Sequence, residues 1–214
     1  MQAIKLIILF AATLASPPLW AQPAAPAGPP ANLATNRPAY STQIKHVGGL
    51  GLLPADFAYV TFGTSKFGFV LPAGFRLEPG DGQKVTLVSA DFSCLLTFRV
   101  LEPISPGITE LDPAPYRDLL LSRHPGGKIL EEFSLAAANR RGPAFDLHWN
   151  ATGAVPRRER ILFILSDAGV LEFSLVSSLE KFEAGRRGFG ALLLSFRAAD
   201  TDGRLIMPVL SNRL

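Results

Sequence analysis

From Pro143 to Asn150 the chain reads PAFDLHWN. Phe145, Leu147 and Trp149 occupy one set of alternate positions, and Asp146, His148 and Asn150 the other. Side chains two apart on a strand share a face, so this is the pattern of a strand with one buried and one polar side. Two more apolar runs follow, RERILFILS (158–166) and VLEFSLVS (170–177), separated by Asp167, Ala168 and Gly169. A three-residue loop there pairs Leu165 with Leu171, Phe163 with Phe173 and Ile161 with Leu175. It leaves Gly169 to take the left-handed conformation that such loops need. Beyond it, Ser177 and Glu180 have the spacing of a helix capping box. Phe182, Phe189, Leu193 and Phe196 then recur on one helical stripe. Gly185, Gly188 and Gly190 weaken that helix, so tertiary packing is expected to hold it.

Upstream, FAYVTF (57–62), FGFVLP (67–72), VTLVSA (85–90), SCLLTFRVLE (93–102) and KILEEFSL (128–135) read as strands. The proline-rich EPISPGITELDPAP is a loop, since proline cannot sit inside a ladder. A helix is expected from near Pro115, preceded by Asp112 or Pro113, with Tyr116, Leu119, Leu120 and Arg123 at helical spacing. His124 to Gly127, HPGG, end it, and His124 there places a cation at the negative end of the helix dipole. Runs of strands with two segregated helices predict an α+β domain: a central antiparallel β-sheet flanked by helices.

The ends carry a different pattern. Lys5 precedes an apolar run, Leu6–Ala15, too short to span a bilayer comfortably, and small residues follow. Residues 1–21 are expected to be a signal peptide cleaved after Ala21, with Ala15 the other candidate site and an uncleaved anchor the competing reading. Residues 22–39, built from Ala, Pro, Gly and Asn, form a tether too poor in large apolar groups to fold. His46 lies at its exit. The domain spans 40–200, and 201–214 form a C-terminal extension without an assigned role. The expected location is the bacterial periplasm, with secretion as the variant, and no membrane span is expected after cleavage.

Charge and cysteine content narrow the function classes. The formal net charge is only +3, with no basic run that resembles a nucleic-acid arm. The doublets Arg140-Arg141 and Arg157-Arg158 flank the PAFDLHWN strand, roughly 25 Å or more apart if that strand is regular, too far for one phosphate clamp. Cys94 is the single cysteine, so no internal disulfide forms, and its apolar surroundings predict a buried, inert thiol. His46, His124 and His148 have no metal-site spacing. No metal and no cofactor is therefore expected.

FGFVLPAGF (67–75), the paired runs in VTLVSADFSCLLTFRV (85–100), and the sequence from GPAFDLHW through RRERILFILSDAGVLEFSLVSSLEKF to FGALLLSFR together resemble the PsbP-like family. The resemblance covers Phe67 to Arg197 and lies in apolar positions and turns. It implies an α-β-α sandwich in an extrinsic or periplasmic protein that binds and stabilises larger assemblies, with no shared catalytic set. The long lumenal extension of the plant photosynthetic members is missing, so a photosystem role does not transfer.

The remaining question is the polar face of PAFDLHWN. Asp146 and His148 share it, and Glu172 and Ser174 lie on what reads as the polar side of VLEFSLVS. Triad chemistry also needs an oxyanion hole, and no G-x-S-x-G elbow is present. Ser178 and Lys181 match S-x-x-K without the accompanying K-T-G. A half-buried antiparallel strand must expose polar residues at every second position, so the expectation is a solvated face and no catalytic residue. Asp146, His148, Asn150, Arg157 and Arg158, with the loop NATGAVPRR, form the candidate binding face. The function expected is an exported, non-enzymatic binding or assembly module with a protein partner in the cell envelope. The alternative is a small periplasmic hydrolase using His148 as base.

Overall fold

The computed structural model describes residues 40–49, 52–79, 84–101, 109–152 and 155–198. The signal peptide, the tether, the 201–214 extension and residues 102–108 of the proline-rich loop lie outside them. The elements are β1 (Tyr40–Gly49), β2 (Leu52–Phe62), β3 (Ser65–Val70), β4 (Phe75–Glu78), β5 (Val85–Ser89), β6 (Cys94–Val100), α1 (Pro113–Arg123), β7 (Lys128–Ala137), β8 (Arg140–Ala151), β9 (Val155–Ser166), β10 (Gly169–Ser177), α2 (Phe182–Ser195) and β11 (Arg197–Ala198). Seven strands form one antiparallel sheet in the order β4-β5-β6-β10-β9-β8-β7. A second sheet, β1-β2-β3-β11, was not expected from the sequence. It forms because β1, with His46 in it, is a strand paired along β2 rather than the end of a tether. The fold is thus mostly antiparallel sheet with two helices.

The two faces of the large sheet have separate cores. On one, Phe98 and Phe173 pack with Phe189 and Leu192 of α2 and with Phe67 and Phe69 of the small sheet. Phe196 joins them, its ring centroid 5.0 Å from Phe98 and 4.8 Å from Phe173. On the other face, Leu120 and Tyr116 of α1 cover Phe145, Ile161 and Phe163, with Tyr116 stacked on Phe163 at 4.3 Å. Cys94 is free and buried in the first core. Among the described residues no helix is long and apolar enough to cross a membrane.

The β9–β10 hairpin differs from the expected register by one residue. Ser166 pairs with Gly169, Ile164 with Leu171 and Leu162 with Phe173, so the loop is the two residues Asp167 and Ala168. Both strands are buried on both faces, so apolar pairing is satisfied equally by either register and cannot choose between them. The turn decides: Ser166 Oγ donates to the Gly169 carbonyl and accepts from Ala168 N, and Gly169 has φ +119°.

The helix ends show one success and one failure of capping chemistry. Asp112 caps α1, its carboxylate accepting from Ala114 N at 2.9 Å, with Pro113 in the first turn. The capping box at Ser177 does not form. Ser177 closes β10 and its hydroxyl donates to Ser178 O, while α2 starts after Lys181 without a side-chain cap. Packing holds α2 instead, as its glycines required. A Cβ on Gly185 would lie 2.7 Å from Leu175 Cδ1, and one on Gly188 2.5 Å from the Phe75 ring.

Tyr40 fastens the small sheet to the large one. Its hydroxyl accepts from Val100 N, and its ring stacks on Phe62 at 4.7 Å. Burial pushes the phenol up to about 12, against the smaller opposing effect of the Val100 N–H. The neutral phenol is favoured in the fold, so its contribution is complete below the ordinary tyrosine range and is lost as pH rises toward 12. Tyrosinate absorbance should therefore show a step near pH 12 that Tyr40→Phe removes. A wild-type titration complete by pH 10.5 would contradict this environment.

Candidate functional site

The expected solvated face of PAFDLHWN is, at its centre, a buried ionic cluster. Asp146 is 0% exposed. Its Oδ1 accepts from Arg160 Nε at 2.7 Å, and its Oδ2 from Arg160 Nη2 at 2.8 Å and Arg158 Nη2 at 3.0 Å. The β8–β9 register makes this possible: Asp146 pairs with Arg160 and His148 with Arg158, so all four side chains face the α2 side. Phe182, the first residue of α2, then covers the cluster. Arg158 lies over its ring at 4.2 Å, while Arg160 is stacked against Phe133 at 4.7 Å.

The candidate residues therefore separate by depth and by face. Asp146 lies at the bottom, His148 and Arg158 are half-buried, and Asn150 is exposed near the hairpin end. Arg157 pairs with Trp149 and belongs to the opposite, α1 side of the sheet. No hydrogen bond joins His148 to Asp146 among the described residues; the carboxylate accepts from Arg158 and Arg160. Among the described residues, His148 Nε2 and Arg158 Nε are buried without partners. The other histidines stand apart, His46 against Asp56 at 2.8 Å and His124 at the end of α1.

The α1 side holds two further buried carboxylates, Glu172, which read as surface in the sequence, and Glu159. Glu172 receives two hydrogen bonds from Arg99, at 3.0 and 2.9 Å, and one from Arg123 of α1 at 2.7 Å. Next to it Thr97 and Ser174 share a buried hydrogen bond of 2.7 Å. Glu159 lies 3.1 Å from His124 Nε2 and accepts from Trp149 Nε1 at 3.1 Å, with the His124 ring stacked on Trp149 at 4.4 Å. The last turn of α1 is thus bolted to the sheet by Arg123 and His124. One signal could have found these clusters: a carboxylate inside a strand that is apolar on both faces must be paired to be tolerated.

No protein-family model matches the chain, and no curated protein matches it. Among solved structures, the solution structure of cyanobacterial PsbP (CyanoP) from Synechocystis sp. PCC 6803 matches with TM-score 0.51 and 13% identity, over 71% of this chain and 96% of that one. PA94 from Pseudomonas aeruginosa, a protein of unknown function, matches with TM-score 0.37 and 12% identity over 73% of this chain and 81% of its own. LpqN of Mycobacterium tuberculosis, involved in cell envelope biogenesis, matches with TM-score 0.39 and 11% identity over 75% and 92%. The last two scores carry no weight, and 13% identity bears on the fold alone. The strands, the two helices and the match along nearly all of CyanoP agree with the motifs in the sequence: the chain has a PsbP-like fold.

Proposed function

We propose that the protein is an exported, non-enzymatic binding or assembly module of the cell envelope that engages a protein partner at the outer end of the β8–β9 hairpin. Export rests on Lys5 and the Leu6–Ala15 run. The observation that carries the binding reading is the use made of the buried carboxylates. Asp146, Glu159 and Glu172 are each held by two partner side chains, so they are committed to structure. The hydrolase alternative needs Asp146 to orient His148, and Asp146 is bound to arginines instead.

What the hairpin end leaves over is mostly hydrogen-bonding capacity from nitrogen. Asn150 is exposed there, and the partly exposed Arg158 and Arg157 reach solvent on opposite faces of the sheet. A partner that presents carboxylates or carbonyls there is matched in charge and in hydrogen bonding.

The test is an affinity pull-down from the native envelope fraction with residues 22–214 as bait. A second bait carries His148→Ala, Asn150→Ala, Arg157→Ala and Arg158→Ala, and keeps Asp146 so that the fold survives; its melting curve verifies this. The expected result is a partner retained by the wild type and lost by the variant. A partner retained by both baits removes the hairpin end from consideration, and the absence of any partner counts against the assembly reading.

A further inference from the structure

A groove of about 410 Å³ runs between α2 and β7, with Arg160 of β9 in its lining. That volume is of the order that small-molecule sites occupy. Leu135, Phe189 and Leu193 supply apolar walls, and the polar lining is three arginines against one glutamate. Two of those arginines are engaged: Arg160 with Asp146, and Arg186 with Glu183 at 3.0 and 3.1 Å. Arg187 has no hydrogen bond or ion pair among the described residues. An exposed cation thus borders an apolar groove.

The glycines of α2 give an independent reason to regard this space as used. A glycine inside a helix costs roughly 1 kcal/mol relative to alanine. At Gly185 and Gly188 the cost has a structural return, because a Cβ would collide with Leu175 and Phe75. At Gly190 it has none, since a Cβ there would meet nothing within 4 Å. Gly190 lines the groove, so the one effect of its missing side chain is open volume in it.

We propose that this groove binds a small anionic amphiphile, a molecule that joins one carboxylate or phosphate group to an apolar body. The apolar body lies against Leu135, Phe189 and Leu193 where Gly190 leaves room, and the anionic head meets Arg187 and Arg186. The site is separate from the hairpin end and does not depend on the partner proposed there.

Titration calorimetry on the protein spanning residues 22–214 tests this with decanoate and decyl phosphate, each kept below its micelle concentration. Decanol serves as the tail without charge and acetate as the head without tail. The expected result is saturable binding of at least one charged amphiphile, tighter than decanol, with no binding of acetate; the tighter head assigns carboxylate or phosphate. Gly190→Leu fills the groove and favours the helix, so it should abolish binding while leaving the melting temperature equal or higher. Arg187→Gln should weaken the charged ligand about tenfold, the usual scale for one charge-assisted hydrogen bond, and leave decanol unchanged. Wild-type protein that binds neither amphiphile overturns the proposal, as does binding that survives Gly190→Leu. If Gly190→Leu melts lower than wild type, Gly190→Val replaces it and is read in the same way.

Discussion

Asp146→Ala should destabilise the domain by about 3–5 kcal/mol, the range seen when one partner of a buried ion pair is removed. The carboxylate is fully buried and neutralises Arg160, which is only 9% exposed. Without it two guanidinium groups stand side by side against Phe182, and Arg160 has little access to water. The cost comes from the charge left behind more than from the bonds lost, and this distinguishes the cluster from a surface salt bridge. Arg158→Gln should therefore cost far less, about 1 kcal/mol, because Arg160 still holds Asp146 with two bonds and Arg158 reaches solvent. Asp146→Leu combined with Arg160→Met removes both charges and should recover most of the loss. Urea denaturation of the three variants decides the matter. A loss of under about 1 kcal/mol for Asp146→Ala would mean that water reaches Arg160 and that the cluster is open.

The same residues show what was legible in the sequence. Period-two alternation found β8 and gave its side chains the right parity: Asp146 and His148 do share a face. Alternation does not report what lies above that face. The polar row was read as solvated because polar residues usually are, yet here α2 crosses it and the arginines of β9 neutralise it from the neighbouring strand. Arg158 and Arg160 alternate with Glu159 just as Asp146 alternates with Leu147, so pairing two charge-bearing strands could have revealed the cluster. The one-residue error in the β9–β10 register has a related cause. With both faces buried, Glu172 was assigned to a solvated side that does not exist and now appears beneath Arg99 and Arg123. The start of α1 was read near Pro115, two residues late, although Asp112 and Pro113 are the local signals that set it. The small sheet was not readable, because β1 and β11 are strands only by virtue of their partners, β2 and β3.

Gly142→Ala is the second large effect, and its sign is set by backbone rather than by charge. A Cβ on Gly142 would fall 1.8 Å from the carbonyl oxygen of Phe163, which is backbone of β9 and cannot rotate away. Gly142 lies just before the regular β8–β9 pairing, which starts at Ala144 and Leu162, so the two strands must separate where their ladder begins. Ala144, Phe145 and Leu162 are all completely buried, and moving them apart opens both cores at once. The expected loss is about 3 kcal/mol or more, at the upper end for overpacking because no side chain can yield. Gly142, three residues before Phe145, thus permits the close crossing that sets Phe145 against Phe163. Gly190→Ala is the matched control. It is the same substitution at a site where nothing lies within 4 Å, and it should stabilise by roughly 1 kcal/mol through helix propensity alone. Thermal melts of the two variants should move in opposite directions from wild type. If Gly142→Ala melts with the wild type, β8 and β9 do not approach this closely, and the pairing that places Asp146 opposite Arg160 would have to be redrawn.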